Sequence, residues 1–321
     1  MDKKEKNHSV ISFFCGCGGL DLGFRGDFDF KDIHYNRLPF DISAAYDFNK
    51  PCIETYNRYF GDNAHLVDLS KADLLNFQST EVLIGGFPCQ EFSSCGPLGG
   101  LDSDRGQLYK VMVNYMRIHQ PKVVVGENVI NLLRMEDGTV INTIIDDLVD
   151  VGYRVEVWNL YAPDYGIPQK RNRLFFICVR NDLDGFPEKP EPLFRDNPRS
   201  ISWAIGDLQT ITDESVPNQS QFFRASKAKR GNGQGDEKND ELKPAYTIRA
   251  NPKSRVQFHY SLDRRLTVRE CARIQTFPDD FIFTHSMTTS ISQIGNAVPP
   301  MLGYVVASSV AKFLDEIGGQ E

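Results

Sequence analysis

The apolar run at 10–14, Val-Ile-Ser-Phe-Phe, breaks directly into Cys15-Gly-Cys-Gly-Gly19 and then into Leu20-Asp-Leu-Gly-Phe24. A buried strand that turns through glycines into a helix opens an α/β sheet, and the alternation continues. Further strands are expected at 42–46, 82–85, 122–126, 153–160 and 174–179. Helices are expected at 51–59, where Asn49 or Lys50 caps and Pro51 suits the first turn, and at 139–149, where apolar residues recur with helical spacing. A closing helix is expected at 301–317. The fold class is therefore α/β, a doubly wound, mainly parallel sheet. Such sheets bind ligands beyond the carboxyl ends of their strands. The glycine turn, Asp47, Cys89 and Glu127 all fall at such ends.

From about 185 the pattern changes to short strands rich in Pro, Gly, Asn and charge, and regular structure resumes near 266. Residues 227–242 are nearly devoid of apolar side chains. They read as a linker or as part of a small irregular domain. The chain carries a net charge of −7, which argues against a generally basic surface. Between Gln221 and Arg273, however, thirteen Lys/Arg face six Asp/Glu, a local net of +7. A basic region on an acidic body can grip phosphates, or it can be a solvated loop. Seven cysteines without a CxxC pair suggest neither a disulfide framework nor a zinc site, so no metal is expected. The polar first residues lack a signal peptide's apolar stretch, and no apolar run approaches a membrane span. The expected compartment is the cytosol, with no membrane partner.

Several residues invite chemistry. Glycines at 16, 18 and 19 let backbone approach a ligand closely, although the turn is not GxGxxG and a plain strand–helix turn is the simpler reading. Asp47 ends the second strand, where an acid can bind ribose hydroxyls. Asp68 is placed for an adenine amino group or for a helix cap. Cys89 follows a Gly-Gly-Phe-Pro turn instead of sitting inside an apolar run; as a nucleophile it would need a lowered pKa. Glu127 ends the Val-Val-Val strand, where burial can hold a carboxyl protonated. Arg171 and Arg173, two apart, share a side if extended. They form either a solvated face or a clamp on a carbonyl or phosphate.

Taken together, these stretches resemble the DNA (cytosine-5)-methyltransferases of the bacterial restriction–modification type over nearly the whole chain. The matching blocks are Phe14-Cys-Gly-Cys-Gly-Gly19, Asp47-Phe48, Asp68-Leu69, Gly86-Phe-Pro-Cys-Gln90, Arg105-Gly-Gln-Leu108, Glu127-Asn-Val129, Gln169-Lys-Arg-Asn-Arg173, the Arg269–Pro278 run and Gln293-Ile-Gly-Asn-Ala-Val298. Cys15 stands where Ser or Ala is commoner, Asp47 where Glu is commoner, and 26–41 looks like an insertion. The resemblance implies a Rossmann-like S-adenosylmethionine-dependent domain at 1–184 and 268–321, with a smaller irregular target-recognition domain at 185–267. It implies cofactor contacts from Phe14, Gly16, Gly18, Gly19, Leu20, Asp47, Phe48, Asp68, Leu69, Gly86, Pro88, Asn296 and Val298. It implies Cys89 as nucleophile, Glu127 as the proton donor to the ring, and Arg173 with Arg171 on the base carbonyl. Gln90, Ser93, Arg249, Lys253 and Arg255 are the DNA-contacting candidates.

The implied partners are double-stranded DNA and, without a stable complex, a restriction endonuclease; a monomer suffices. Two other activities stay open on the residues alone. One is methylation of tRNA, since a relative with the same catalytic kit uses that substrate. The other is a nucleotide-dependent oxidoreductase, which would leave Cys89 and Glu127 without a task. A non-catalytic DNA-binding module is a third reading, against which the intact Cys89 and Glu127 argue.

Overall fold

The computed structural model describes residues 7–87, 108–220, 236–250 and 256–319. Pro88, Cys89, Gln90, Ser93, Lys253 and Arg255 lie outside these residues. A seven-stranded sheet forms the centre. Its strands are β1 (His8–Phe13), β4 (Phe40–Asp47), β5 (Ala64–Leu66), β6 (Val82–Gly86), β7 (Val123–Val129), β8 (Tyr153–Tyr161) and β9 (Asn172–Arg180). A short hairpin, β2 (Phe28–Phe30) and β3 (Ile33–Tyr35), stands outside it. The order across the sheet is β5-β4-β1-β6-β7-β9-β8. All pairs from β5 to β7 are parallel, and β9 runs antiparallel to both β7 and β8. The expected Rossmann-like α/β class is thus present.

The inner strands are apolar on both faces because helices cover both. Val10, Ile11, Val82, Leu83, Ile84, Val123 and Val125 have no exposed surface. One face packs on α1 (Gly19–Arg25) and α8 (Pro300–Gly318), the other on α3 (Tyr109–His119) and α4 (Thr139–Asp150). Gly23 permits the crossing of α1 with α8, since a Cβ there would stand 2.5 Å from the Gly303 carbonyl carbon. Helix α2 (Lys50–Phe60) begins as its sequence suggests: the Asn49 side chain accepts from the Cys52 N–H, and a proline occupies the first turn. Although α7 (Met287–Asn296) and α8 together are apolar and long enough to pass for a membrane span, 67% of that window is buried inside the protein. It is core material.

Among the described residues of 185–267 regular structure is sparse: a five-residue helix, α5 (Ile201–Ile205), and a helical turn at Gly206–Leu208. Much of it nonetheless fastens to the main body. Gln169 bridges to Ala245, and the Lys170 N–H donates to the Ala245 carbonyl at 2.8 Å. The Arg269 N–H donates to the Asn218 carbonyl at 3.2 Å, from α6 (Val268–Ile274). Helix α6 carries a full capping box between Thr267 and Glu270.

Candidate active site

Strands β1 and β4 pair with Phe13 opposite Tyr46, so the glycine turn and Asp47 meet at their carboxyl ends. Phe14 (φ 54°), Gly16 (φ 54°) and Gly18 (φ 92°) adopt left-handed backbone, which folds the turn tightly enough to enter α1 at Gly19. Asp47 holds it in place. Its Oδ2 accepts from the Gly16 N–H at 2.9 Å and its Oδ1 from the Asn49 N–H at 2.8 Å. Burial raises the Asp47 pKa, while these N–H groups oppose the rise.

The glycines divide their tasks. A Cβ at Gly18 would stand 2.5 Å from the Phe60 ring, and one at Gly19 would stand 2.3 Å from the Val298 carbonyl. A Cβ at Gly16 would meet nothing within 4 Å. Gly18 and Gly19 serve packing, and Gly16 presents backbone to open space. Leu20 and Leu69 are buried beneath. Phe48 is 65% exposed beside Asp47. Asp68 follows β5, its Oδ1 accepting from the Ser70 hydroxyl at 2.6 Å; Lys71 first, and then that hydroxyl, lower its pKa.

A second group forms two strands away. Gly86 pairs with Glu127 across β6 and β7, and a Cβ at Gly86 would stand 3.0 Å from Glu127 Oε2. Antiparallel β9 brings Arg173 opposite Val129, and Arg173 Nε lies 2.7 Å from Glu127 Oε1. Glu127 is 8% exposed. Burial raises its pKa, against the pull of Arg173 and then Arg171. Asn128 Nδ2 donates to the Phe87 carbonyl at 3.3 Å, which fixes the chain just before Pro88.

The two arginines separate. Arg173 faces Glu127. Arg171, wholly buried, donates from Nη2 to the carbonyls of Gly295 at 2.9 Å and Ala297 at 3.0 Å, and from Nη1 to that of Ile248 at 3.4 Å. Burial and the neighbouring Arg173 push its pKa down. Gln169, whose part the sequence left unassigned, works beside it: its side chain accepts from the Ile248 N–H at 3.0 Å and donates to Gln275 and to the Ile274 carbonyl. Together they seat the turn after α7, where Asn296 is exposed and Val298 buried. Arg249 is exposed, its backbone against Gly295. Among the described residues no cluster of three or more His, Cys, Asp or Glu could hold a metal ion.

The sequence model of the C-5 cytosine-specific DNA methylases matches this chain over residues 8–240 and 214–312. It is a member of that family. Among similar proteins is the type II methyltransferase M.FnuDI of Fusobacterium nucleatum, 30% identical with 96% of this chain and 95% of the relative covered. M.NgoPII of Neisseria gonorrhoeae is 31% identical, with 95% and 96% covered. The fold resembles that of the Dnmt2 methyltransferase of S. pombe, with a TM-score of 0.70 and 19% identity over 97% of this chain and 99% of that one.

In this cytosine-5 DNA methyltransferase, two groups of candidate residues lie on one sheet edge. The family implies S-adenosylmethionine, and the residues at β1, β4 and β5 fit it. Gly16 leaves open space where a side chain would stand, Asp47 offers a carboxylate at a strand end, and Phe48 an exposed ring for a purine face.

Proposed function

We propose that the chain methylates carbon 5 of a cytosine flipped out of duplex DNA within a short specific site, through a covalent Cys89 adduct. Its role would be to protect host DNA from a cognate restriction endonuclease, acting as a monomer in the cytosol. The observation that carries the chemical reading is the buried Glu127–Arg173 pair beside the segment leading to Cys89.

Cytosine carbon 5 is a poor nucleophile and is stacked inside the duplex, so the base must leave the stack. The Cys89 thiolate adds to carbon 6, and the carbon 5–carbon 6 π electrons become available at carbon 5. Glu127, protonated, donates to ring nitrogen 3 and absorbs the charge that develops there. Arg173 lies next to it and donates to the base carbonyl. Bound at the Gly16–Asp47 edge, S-adenosylmethionine supplies the electrophilic methyl group. Carbon 5 would take that methyl as S-adenosylhomocysteine leaves; its proton would then pass to solvent water while the carbon 6–sulfur bond breaks, returning the Cys89 thiolate and the carbon 5–carbon 6 double bond, and Glu127 would recover the nitrogen 3 proton. Asp47 and the turn at 14–19 hold the cofactor side, with Phe48 on the adenine, Asp68 on its amino group, and Leu69, Gly86, Pro88, Asn296 and Val298 around it. The 185–267 region, with Arg249, Lys253 and Arg255, reads the DNA, and Gln90 and Ser93 approach the base.

Incubating the enzyme with tritiated S-adenosylmethionine and either duplex DNA or tRNA tests the substrate class. Tritium should enter DNA and not tRNA, and bisulfite sequencing should place it on cytosines of one short motif. Transfer to tRNA alone would sink the reading. Cys89→Ser should abolish transfer while binding of S-adenosylhomocysteine survives.

A further inference from the structure

Within residues 26–41, which look like an insertion with no role legible in the sequence, Phe28–Tyr35 form the hairpin of β2 and β3, while Phe40 and Asp41 already belong to β4. A two-stranded hairpin is marginal by itself. This one is held at three places. At its root, Gly26 (φ 65°) admits no side chain, since a Cβ would stand 2.2 Å from the Asn36 carbonyl, and the Leu38 N–H donates to the Arg25 carbonyl at 3.1 Å. Along its length, Phe28 stacks on its cross-strand partner Tyr35 at 4.7 Å. Both rings meet Tyr304 of α8 edge-on, at 6.2 and 5.2 Å.

The tip reaches a different element. The Phe30 ring lies 5.6 Å from Trp203 of α5. Lys31 Nζ stands 2.8 Å from Asp207 Oδ1, and the same carboxylate takes Arg273 Nη1 at 2.7 Å. Helix α5 then holds the chain at 241–243. The Ile201 N–H donates to the Lys243 carbonyl at 2.9 Å, and the Ser202 hydroxyl donates to the Glu241 carbonyl at 2.8 Å. One line of contacts therefore runs from α8 through the hairpin and α5 to the 236–250 stretch. The stretch follows the most basic part of the chain.

We propose that the 26–41 hairpin is a specificity brace, with Lys31 and Phe30 positioning the 185–267 region over the catalytic edge. The proposal rests on reading 185–267 as the DNA-reading region. The brace holds a geometry: it fixes where α5 sits relative to α8, and so where the segments beyond α5 meet DNA. Displacing it costs alignment with DNA and leaves the cofactor side untouched, because the hairpin's contacts above involve neither Asp47 nor the 14–19 turn.

The test compares Lys31→Glu and Lys31→Arg with the parent, using unmethylated plasmid DNA. Lys31→Glu sets a like charge against Asp207. Its KM for DNA should rise about fivefold, the scale of one surface charge contact, and bisulfite sequencing should show added methylation at near-matches to the motif. kcat and the calorimetric affinity for S-adenosylhomocysteine should hold, and Lys31→Arg should behave as the parent. Loss of kcat and of cofactor affinity together, with the motif unchanged, would mark the hairpin as mere scaffold and overturn the proposal. A Lys229→Ala, Arg230→Ala control separates the two ideas. If that control leaves DNA KM and motif unchanged, the reading of 185–267 falls and the brace with it. If the control shifts them and Lys31→Glu does not, only the brace falls.

Discussion

Arg173 Nε lies 2.7 Å from Glu127 Oε1, on a strand antiparallel to the one that carries the glutamate. The contact sets two opposing influences on one carboxyl. Burial favours its neutral form, and Arg173 favours its charged form. The active form in the proposed reaction is neutral, so activity should decline as pH rises through the Glu127 pKa. Arg173→Ala removes the larger lowering influence, leaving that of Arg171. The alkaline limb of the kcat profile should then move to higher pH while its ceiling falls. A limb that moves to lower pH, or none, would contradict the assignment.

Glu127→Gln keeps shape and loses the titrating proton. Steady-state kinetics should show kcat down by roughly 10²–10⁴, the range of a general acid. DNA binding in a gel-shift assay should change little. A variant that melts early with unchanged specific activity would instead make Glu127 structural.

Arg171→Ala should act on stability. It leaves three carbonyls, of Ile248, Gly295 and Ala297, without their buried donor. A cost of about 3 kcal/mol is expected, seen as an early thermal or urea transition. Arg173→Ala should unfold near the parent. Equal melting of the two variants would refute the division of labour between the arginines.

Gly19→Ala and Gly16→Ala should differ in kind. The first forces a Cβ to 2.3 Å from the Val298 carbonyl and must displace backbone; it should cost roughly 1–3 kcal/mol of stability. The second meets no atom within 4 Å but strains a left-handed residue. It should fold at a cost of about 1–2 kcal/mol and lose affinity for S-adenosylhomocysteine by calorimetry. Unimpaired binding would remove Gly16 from the cofactor side.

His259 gives a pH signature. Its Nδ1 accepts from the N–H groups of Ser261 and Leu262, and burial pushes its pKa down to about 4. An unfolded histidine titrates near 6.5. Between these values the unfolded chain binds the extra proton, so stability should be fully present above about 6.5 and fall as pH drops toward about 4. His259→Gln should flatten that part of the urea-midpoint profile. A variant profile identical to the parent's would show that another group carries the slope.

What the sequence disclosed was mostly local. The runs at 10–14 and 82–85 and the Asn49–Pro51 start depend on neighbours in the chain, and they appear as β1, β6 and α2. Glu127, expected to end the strand read from Val123–Val125, lies instead inside β7, which continues to Val129 because Leu174 and Arg173 of β9 pair with Asn128 and Val129. The hairpin could not be read, because three-residue strands owe their existence to Tyr304 and Trp203, far along the chain. Arg171 and Arg173 look equivalent at a spacing of two. Only the arrival of Gly295 and Ala297, more than a hundred residues later, tells them apart. The fastening of Ala245 beside Gln169 is likewise a pairing that local patterning does not encode.

The reach of Arg171 to Gly295 and Ala297 also bears on timing. The site's lining is drawn from positions far apart in sequence: Gly19 closes on the Val298 carbonyl, and Thr55 donates to Gln293 at 3.0 Å. A growing polypeptide that has displayed Glu127 and Arg173 still lacks the carbonyls of Gly295 and Ala297 that Arg171 binds. Synthesis must pass residue 298 before the lining can close, and contacts so distant in sequence form slowly. A chain cut short before residue 298 is therefore expected to lack activity.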